Sequence, residues 1–354
     1  MGKAIQDFKV DLIAVLARDK AIYITYAILI GLTTGLLMAF GLYAEAKYFL
    51  YGSGFTLLTL ISFLTLSIAF FIKLIIQKHP SPIRAFKEQF DFLLKHPEEI
   101  IGFILLLSTT SFLFSAFTSL KSLIPSIQPF AYDALLANLD RTLHLGVDPW
   151  VITHNIFSSA LASGILNLFY NLWFFLYWVV LFFFILRTSP KRERLQYLIT
   201  HMLAWFIIGG LLATLMSSAG PPYYDHFAEG VNPFSPLIER LNIQNNWLEN
   251  NIPWLKIWAL NTQDLLWANY QSGDPALGSG ISAMPSMHLS MAVLMALGMQ
   301  KFNKYLAIFF WAFVIIIQIG SVHLGWHYAI DGYLAILITL LLWKIVGRMC
   351  FKLS

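Results

Sequence analysis

Charge is what this sequence has least of. Only 12% of its 354 residues are charged, 58% are hydrophobic, and the mean hydropathy is +0.68. A soluble globular chain carries roughly 25% charged residues, so a fold bounded on all sides by water is excluded and lipid becomes the natural solvent. Cysteine is nearly missing: Cys350 stands alone, which excludes an internal disulfide and a thiolate metal site. There is no internal repeat, no low-complexity tract and no signal-peptide pattern. Residues 1–20 mix charges with Ile5, Phe8, Leu12, Ile13 and Leu16 at one-sided helical spacing, which predicts an interfacial amphipathic helix. Gln6 occupies the position where a myristoylation signal needs Ser or Thr.

What is present is a series of long apolar runs. A spanning helix needs about 20 mostly apolar residues, and eight segments qualify: 21–43, 54–76, 99–120, 161–186, 197–219, 283–299, 304–322 and 328–347. The sixth is short and follows a polar loop, so its N-terminal end is expected at a pocket rather than in lipid. The chain therefore reads as all-α, a polytopic membrane helix bundle of about eight transmembrane helices. Its expected division is residues 1–98, an amphipathic helix plus two extra spans, and residues 99–354, a six-helix catalytic core.

The few cations orient this bundle. With the N-terminus in the cytoplasm, 18 of the 23 Lys and Arg fall inside, leaving Lys47, Lys121, Arg141, Arg240 and Lys256 outside. That asymmetry is the positive-inside signature, and it puts both termini in the cytoplasm. Losing one span would move every later loop to the other side. Short loops and no targeting segment point to a bacterial inner membrane, a Golgi-type lumen being the eukaryotic equivalent of the outer face. Two outer segments are long: 121–160, whose middle has helix-like apolar spacing, and 220–282, which carries Trp247, Trp254, Trp258 and Trp267. Connections of that length are usually functional or disordered, and the tryptophans suit an interfacial belt, so the second is expected to cover the site as a lid, the alternative being surface packing with no substrate role.

The ionisable residues gather at that outer face. SAMPSMHLS (282–290) and GSVHLGWHYAIDGY (320–333) both fall where a helix meets the outside. His327 and Asp331 are four residues apart, on one helix face, so Asp331 can orient the imidazole and leave its other nitrogen free to attack. His288 stands at the start of the sixth span. Taken singly, His323 or His226 reads as a structural hydrogen bonder. Three ionisable residues at one membrane face read as a functional site, because burying each in lipid is costly.

These residues resemble the type 2 phosphatidic acid phosphatase superfamily, whose later motifs read P-S-G-H and S-R-x5-H-x3-D. Pro285, Ser286 and His288 match the first of these; Gly325, His327 and Asp331 fall within the second. The likeness runs from about residue 99 onward. It implies that His327 is the nucleophile, forming a phospho-histidine type intermediate, with Asp331 as its orienting partner. His288 would be the general acid for the leaving alkoxide and then the base for the acceptor. Ser286 would offer helix N-terminal amides to the phosphoryl oxygens. No cofactor is implied and no metal, and the sequence holds no carboxylate cluster.

Two departures bear on the substrate. Gly320 and Ser321 stand where the superfamily has Ser-Arg, and the first motif, K-x6-R-P, is replaced by SSAGPPYYD at 217–225. That run, with His323 beside the HYxxD group, is similar to the inositol phosphorylceramide synthase branch, with sphingomyelin synthases as more distant relatives. Fewer cations suit a phosphodiester, with one negative charge, better than a monoester dianion. Arg141, Lys256, Tyr223, Tyr224 and the helix N-terminus are the candidates for the remaining stabilisation, Arg141 foremost, its alternative being a surface ion pair with nearby Asp140 and Asp133.

The expected function is a lipid phosphotransferase, moving a phospho-headgroup from a phospholipid donor to an alcohol acceptor. The alternatives are a lipid phosphatase with water as acceptor and, from another class, a transporter or non-catalytic lipid binder. The expected partners are membrane lipid substrates and the lipid bilayer, with no nucleic acid; the oligomeric state stays open.

Overall fold

A computed structural model describes residues 12–187, 191–273, 278 and 280–353. The amphipathic helix expected over residues 1–20 lies, for its first eleven residues, outside the described residues. Among the described residues there is no strand, and seven helices are long and apolar enough to cross a membrane. The chain is a polytopic helical membrane protein.

The long helices, with the surface helices between them, are α1 (Lys20–Ala39), α2 (Gly52–Ile76), α3 (Pro82–Lys95), α4 (Pro97–Ile127), α5 (Asp133–Leu143), α6 (Pro149–Ile156) and α7 (Ala160–Leu186). There follow α8 (Lys191–Phe206), which continues through a π-helical stretch to Leu215, then α9 (Tyr224–Phe227), α10 (Ser235–Asn251), α11 (Trp258–Ser272), α12 (Met287–Met299), α13 (Lys304–His323) and α14 (Ala329–Leu353). Local chemistry sets several boundaries. Ser159 accepts from the Ala162 amide to start α7, and Asn303 accepts from the Tyr305 and Leu306 amides to start α13.

The sixth expected span is where structure and expectation differ. Its helix begins at Met287 rather than 283, because Ser286 is extended and caps it, its side chain accepting from the Leu289 amide. Thirteen residues rise about 20 Å, short of a hydrocarbon core of about 30 Å. Eleven of the thirteen are buried, enclosed by α7, α8, α13 and α14. A helix surrounded by protein need not match the lipid thickness, since its ends can meet polar groups inside the fold. The outward faces are apolar instead: Ile24, Ile28 and Leu32 on α1, Leu60 and Leu64 on α2, Ile308 and Ile315 on α13.

The first two helices share the main core. Ile22, Tyr26 and Leu29 of α1 and Phe55 of α2 join the same apolar cluster as the residues of α12. Tyr26 and Thr110 share a hydrogen bond of 2.5 Å, and a buried ion pair links Asp19 at the head of α1 to Arg194 of α8.

Candidate functional site

Three short turns converge at one end of α12. The turn after α8 holds Ser217 to Gly220, the segment before α12 holds Ile281 to Ser286, and the turn between α13 and α14 holds Leu324 to Tyr328. Their backbones interlock. The Ala283 amide donates to the Ser218 carbonyl at 2.9 Å, and the Ser286 amide donates to the Asp331 carbonyl at 3.1 Å. Gly220, at φ +92°, is pressed so close that a Cβ there would lie 2.9 Å from the Ala283 Cβ and 3.3 Å from the Trp326 carbonyl. A side chain at that position would part the turns and strain the backbone as well.

The reactive groups sit on this frame. The His327 and Trp326 amides both donate to the Ser321 carbonyl, at 3.2 and 2.8 Å, which fixes the ring at the head of α14. Its Nδ1 lies 3.2 Å from Asp331 Oδ2. The same carboxylate oxygen accepts the Tyr328 amide at 3.1 Å. Asp331 is wholly buried and His327 is 8% exposed, so the carboxylate orients the ring and leaves Nε2 as its open nitrogen. The His288 ring centroid lies 6.1 Å from that of His327. His288 is stacked on Tyr170 at 4.7 Å and flanked by Trp173 at 4.4 Å, and Trp173 Nε1 donates to its carbonyl at 2.9 Å. His288 Nε2, Tyr170 Oη, Trp326 Nε1 and Asp331 Oδ1 are buried polar atoms with no hydrogen-bond partner among the described residues. Such atoms are rare in a packed interior, and several in one place mark a surface shaped for a polar ligand.

Two aspartates of α5, Asp133 and Asp140, hold the turns. Asp133 accepts from Ser218 Oγ at 2.8 Å, from the Ala219 and Gly220 amides at 2.9 and 2.8 Å, and from Tyr328 Oη at 2.9 Å. Asp140, seven residues on and so on the same helix face, accepts from the Ala329 and Ile330 amides at 2.9 and 3.2 Å, capping α14 from outside. Burial raises the Asp140 carboxyl above its ordinary range, against the pull of those two amides. The Tyr328 hydroxyl is pushed well up by burial and by the charge of Asp133. The seven-residue spacing was the available signal, but its targets lie about 85 and 190 residues away in sequence.

The remaining expected site residues are placed as follows. The Ser286 hydroxyl accepts from the Leu289 amide at 3.5 Å, and its own amide is spent on Asp331. Tyr223 donates to the Gln263 carbonyl at 2.9 Å and stacks on Trp267 at 5.6 Å. Tyr224 is buried against Phe234, and burial raises its hydroxyl. His323 is buried with Nε2 at 2.7 Å from Ser163 Oγ, and its ring stacks 3.7 Å from that of His154. The Arg141 fork is closed on Asp148 at 2.8 and 2.7 Å, a pairing that raises the guanidinium further. Lys256 lies 3.7 Å from Glu249 and 4.3 Å from the centre of the Trp258 ring. His288, His327, Asp331 and Ser286 are thus brought together, whereas Arg141 and Lys256 are committed to carboxylates elsewhere. Ser321, where the second motif would carry Arg, is fully buried with its hydroxyl on the Gln318 carbonyl.

The helices α10 and α11 pack down on this end of the bundle. Gln263 of α11 donates to the Leu324 carbonyl at 3.1 Å, and Leu237 of α10 lies against Gly325. Among the described residues no cluster of three metal-ligating side chains occurs. A family model described as the PAP2 superfamily matches residues 134–345. No curated protein and no solved structure matches the chain.

Proposed function

The chain belongs to the PAP2 superfamily, a family of lipid phosphatase and phosphotransferase enzymes, and from that premise we propose a membrane-embedded lipid phosphotransferase acting through His327. One observation carries the reading: the Nδ1 of His327 rests 3.2 Å from a fully buried Asp331, with the His288 ring 6.1 Å away. An imidazole held by a carboxylate on one nitrogen is a nucleophile on the other.

The lone pair of His327 Nε2 attacks the phosphorus of a phospholipid donor. The bond from phosphorus to the lipid oxygen breaks, and His288 gives that oxygen its proton. The headgroup phosphate is now bonded to His327. An alcohol acceptor then surrenders its proton to His288 and attacks phosphorus, and the electron pair of the P–N bond returns to the imidazole. The first turn of α12 supplies amides for the non-bridging oxygens. The SSAGPPYYD run and the serine at 321 favour a phosphodiester donor and a place near the inositol phosphorylceramide synthase branch. We place the site on the outer face of a bacterial inner membrane with both termini in the cytoplasm, a reading supported by the 18:5 division of Lys and Arg.

The test is chemical trapping. Purified protein given a headgroup-labelled phospholipid should carry acid-labile, base-stable label on His327, and His327→Gln protein should carry none. Adding ceramide or another lipid alcohol should discharge the label into a new phospholipid. Discharge into water at the same rate with and without alcohol would make the enzyme a hydrolase, and release of free phosphate from a monoester lipid without any acceptor would make it a phosphatase. A His327→Ala protein with full activity would sink the covalent mechanism.

A further inference from the structure

Lys121 lies in the outer part of α4, before the residues that the family match covers. It is half-buried, and among the described residues it makes no hydrogen bond and no ion pair. One helical turn earlier on α4, Phe117 meets Met287, the chain neighbour of His288, over Gly209, where a Cβ would lie 2.8 Å from the Phe117 ring and 3.1 Å from the Met287 sulfur. The segment leading into Pro285, Ser286 and His288 is packed directly on it. A Cβ at Gly280 would fall 2.9 Å from Lys121 Cγ and 3.0 Å from both the Lys121 carbonyl carbon and the Ser122 amide nitrogen. The stem of this lysine is therefore packed against the segment that leads into α12.

An ammonium without a counter-ion inside a membrane protein is costly and is retained for a purpose. The other outer cations are already engaged, Lys47 included. Arg141 is on Asp148, Lys256 is near Glu249, and Arg240 donates to the His154 and Ser158 carbonyls at 3.4 and 3.1 Å. Buried Ser321 brings no charge. What would complete Lys121 is an anion lying between it and His288, where the proposed reaction puts a phosphoryl group.

We propose that Lys121 is the cation that binds the non-bridging oxygens of the transferred phosphoryl group and so selects a singly charged phosphodiester. The assignment rests on the phosphotransferase reading. It also deepens that reading, because one ammonium balances one negative charge and leaves a monoester dianion under-compensated. No proton moves through Lys121; it steadies charge while His327 and His288 exchange bonds and protons.

The experiment uses the full chain in lipid nanodiscs, with orthovanadate as the phosphoryl mimic. Vanadate should slow acetylation of Lys121 in wild-type protein several-fold, read by peptide mass spectrometry. Lys121→Met should match or exceed the wild-type thermal midpoint without vanadate, because an uncompensated charge is gone, and vanadate should no longer raise it. Its donor kcat/KM should fall about 100-fold, the scale of losing one electrostatic contact to a transition state, and Lys121→Arg should recover much of that loss. Unchanged acetylation under vanadate, or Lys121→Met with wild-type labelling of His327 and wild-type donor KM, would overturn the assignment. Vanadate protection of Lys121 in a wild-type protein that never labels His327 would keep the anion site and sink the nucleophile instead.

Discussion

At the scale of single residues, the site divides into groups that react and groups that hold them. Asp133 belongs to the second class and is the most heavily used: one buried carboxylate receives two amides and two hydroxyls from turns that flank both histidines. Removing it leaves those donors buried and unmatched, which costs on the order of 3 kcal/mol. Asp133→Ala should therefore lower the thermal midpoint by several degrees and reduce turnover as well, since Tyr328 is the neighbour of His327. A variant with the wild-type midpoint would show that these bonds are replaced by water at no cost. The grouping of His288, His327 and Asp331 was legible in the sequence because it is local: His327 and Asp331 share a helix face, and PSMH opens a helix. Asp133, Tyr170 and Lys121 were not legible as site residues. Tyr170 stacks on His288, Asp133 holds the turns beside it and Lys121 packs against the segment leading into α12, each from a distant helix, and nothing in the spacing of α4, α5 or α7 says which helices become neighbours.

At the scale of elements, hydrophobic runs gave the long helices nearly end to end, whereas the polar connections gave only their own existence. The helix α6 shows why. It is eight residues long, yet His154 is 1% exposed, donating from Nε2 to the His323 carbonyl at 2.9 Å and stacked on the His323 ring. Such a residue reads as ordinary loop polarity in sequence and becomes a structural prop under the nucleophile turn only after folding. Burial lowers its ring from 6.5 to about 4, aided by the charge of Arg240. The folded state therefore keeps His154 neutral while the unfolded chain protonates it near its ordinary value. Between about 6.5 and about 4 the unfolded state binds more protons, so stability present at neutral pH is lost as pH falls through that window. The contribution is on the order of 2–3 kcal/mol. The thermal midpoint of the wild type should fall between pH 7.5 and pH 5, and His154→Gln, which keeps an N–H donor without the titration, should flatten that fall. Equal slopes for the two proteins would assign the acid sensitivity to other groups.

For the whole molecule, the short buried α12 is what ties sidedness to chemistry. The charge asymmetry gives one orientation only if α12 counts as a crossing, since otherwise Lys301 and Lys304 would change sides with everything after them. A thirteen-residue helix can make that crossing because protein surrounds it. The shortfall of about 10 Å against the hydrocarbon core then sets one or both of its ends below the membrane surface. A recessed outer end would put His288 at the depth where a lipid phosphate enters sideways from the leaflet. The proposed topology makes a direct prediction. Cys350 is buried, so introduced cysteines report their own positions. Leu145, 95% exposed in the turn after α5, should as Leu145→Cys react with a membrane-impermeant maleimide in intact cells. Lys301→Cys, exposed between α12 and α13, should react only after the membrane is opened. Labelling of both from outside would mean that α12 does not cross, and would put the cationic ends of α13 and α14 on sides that the positive-inside rule forbids.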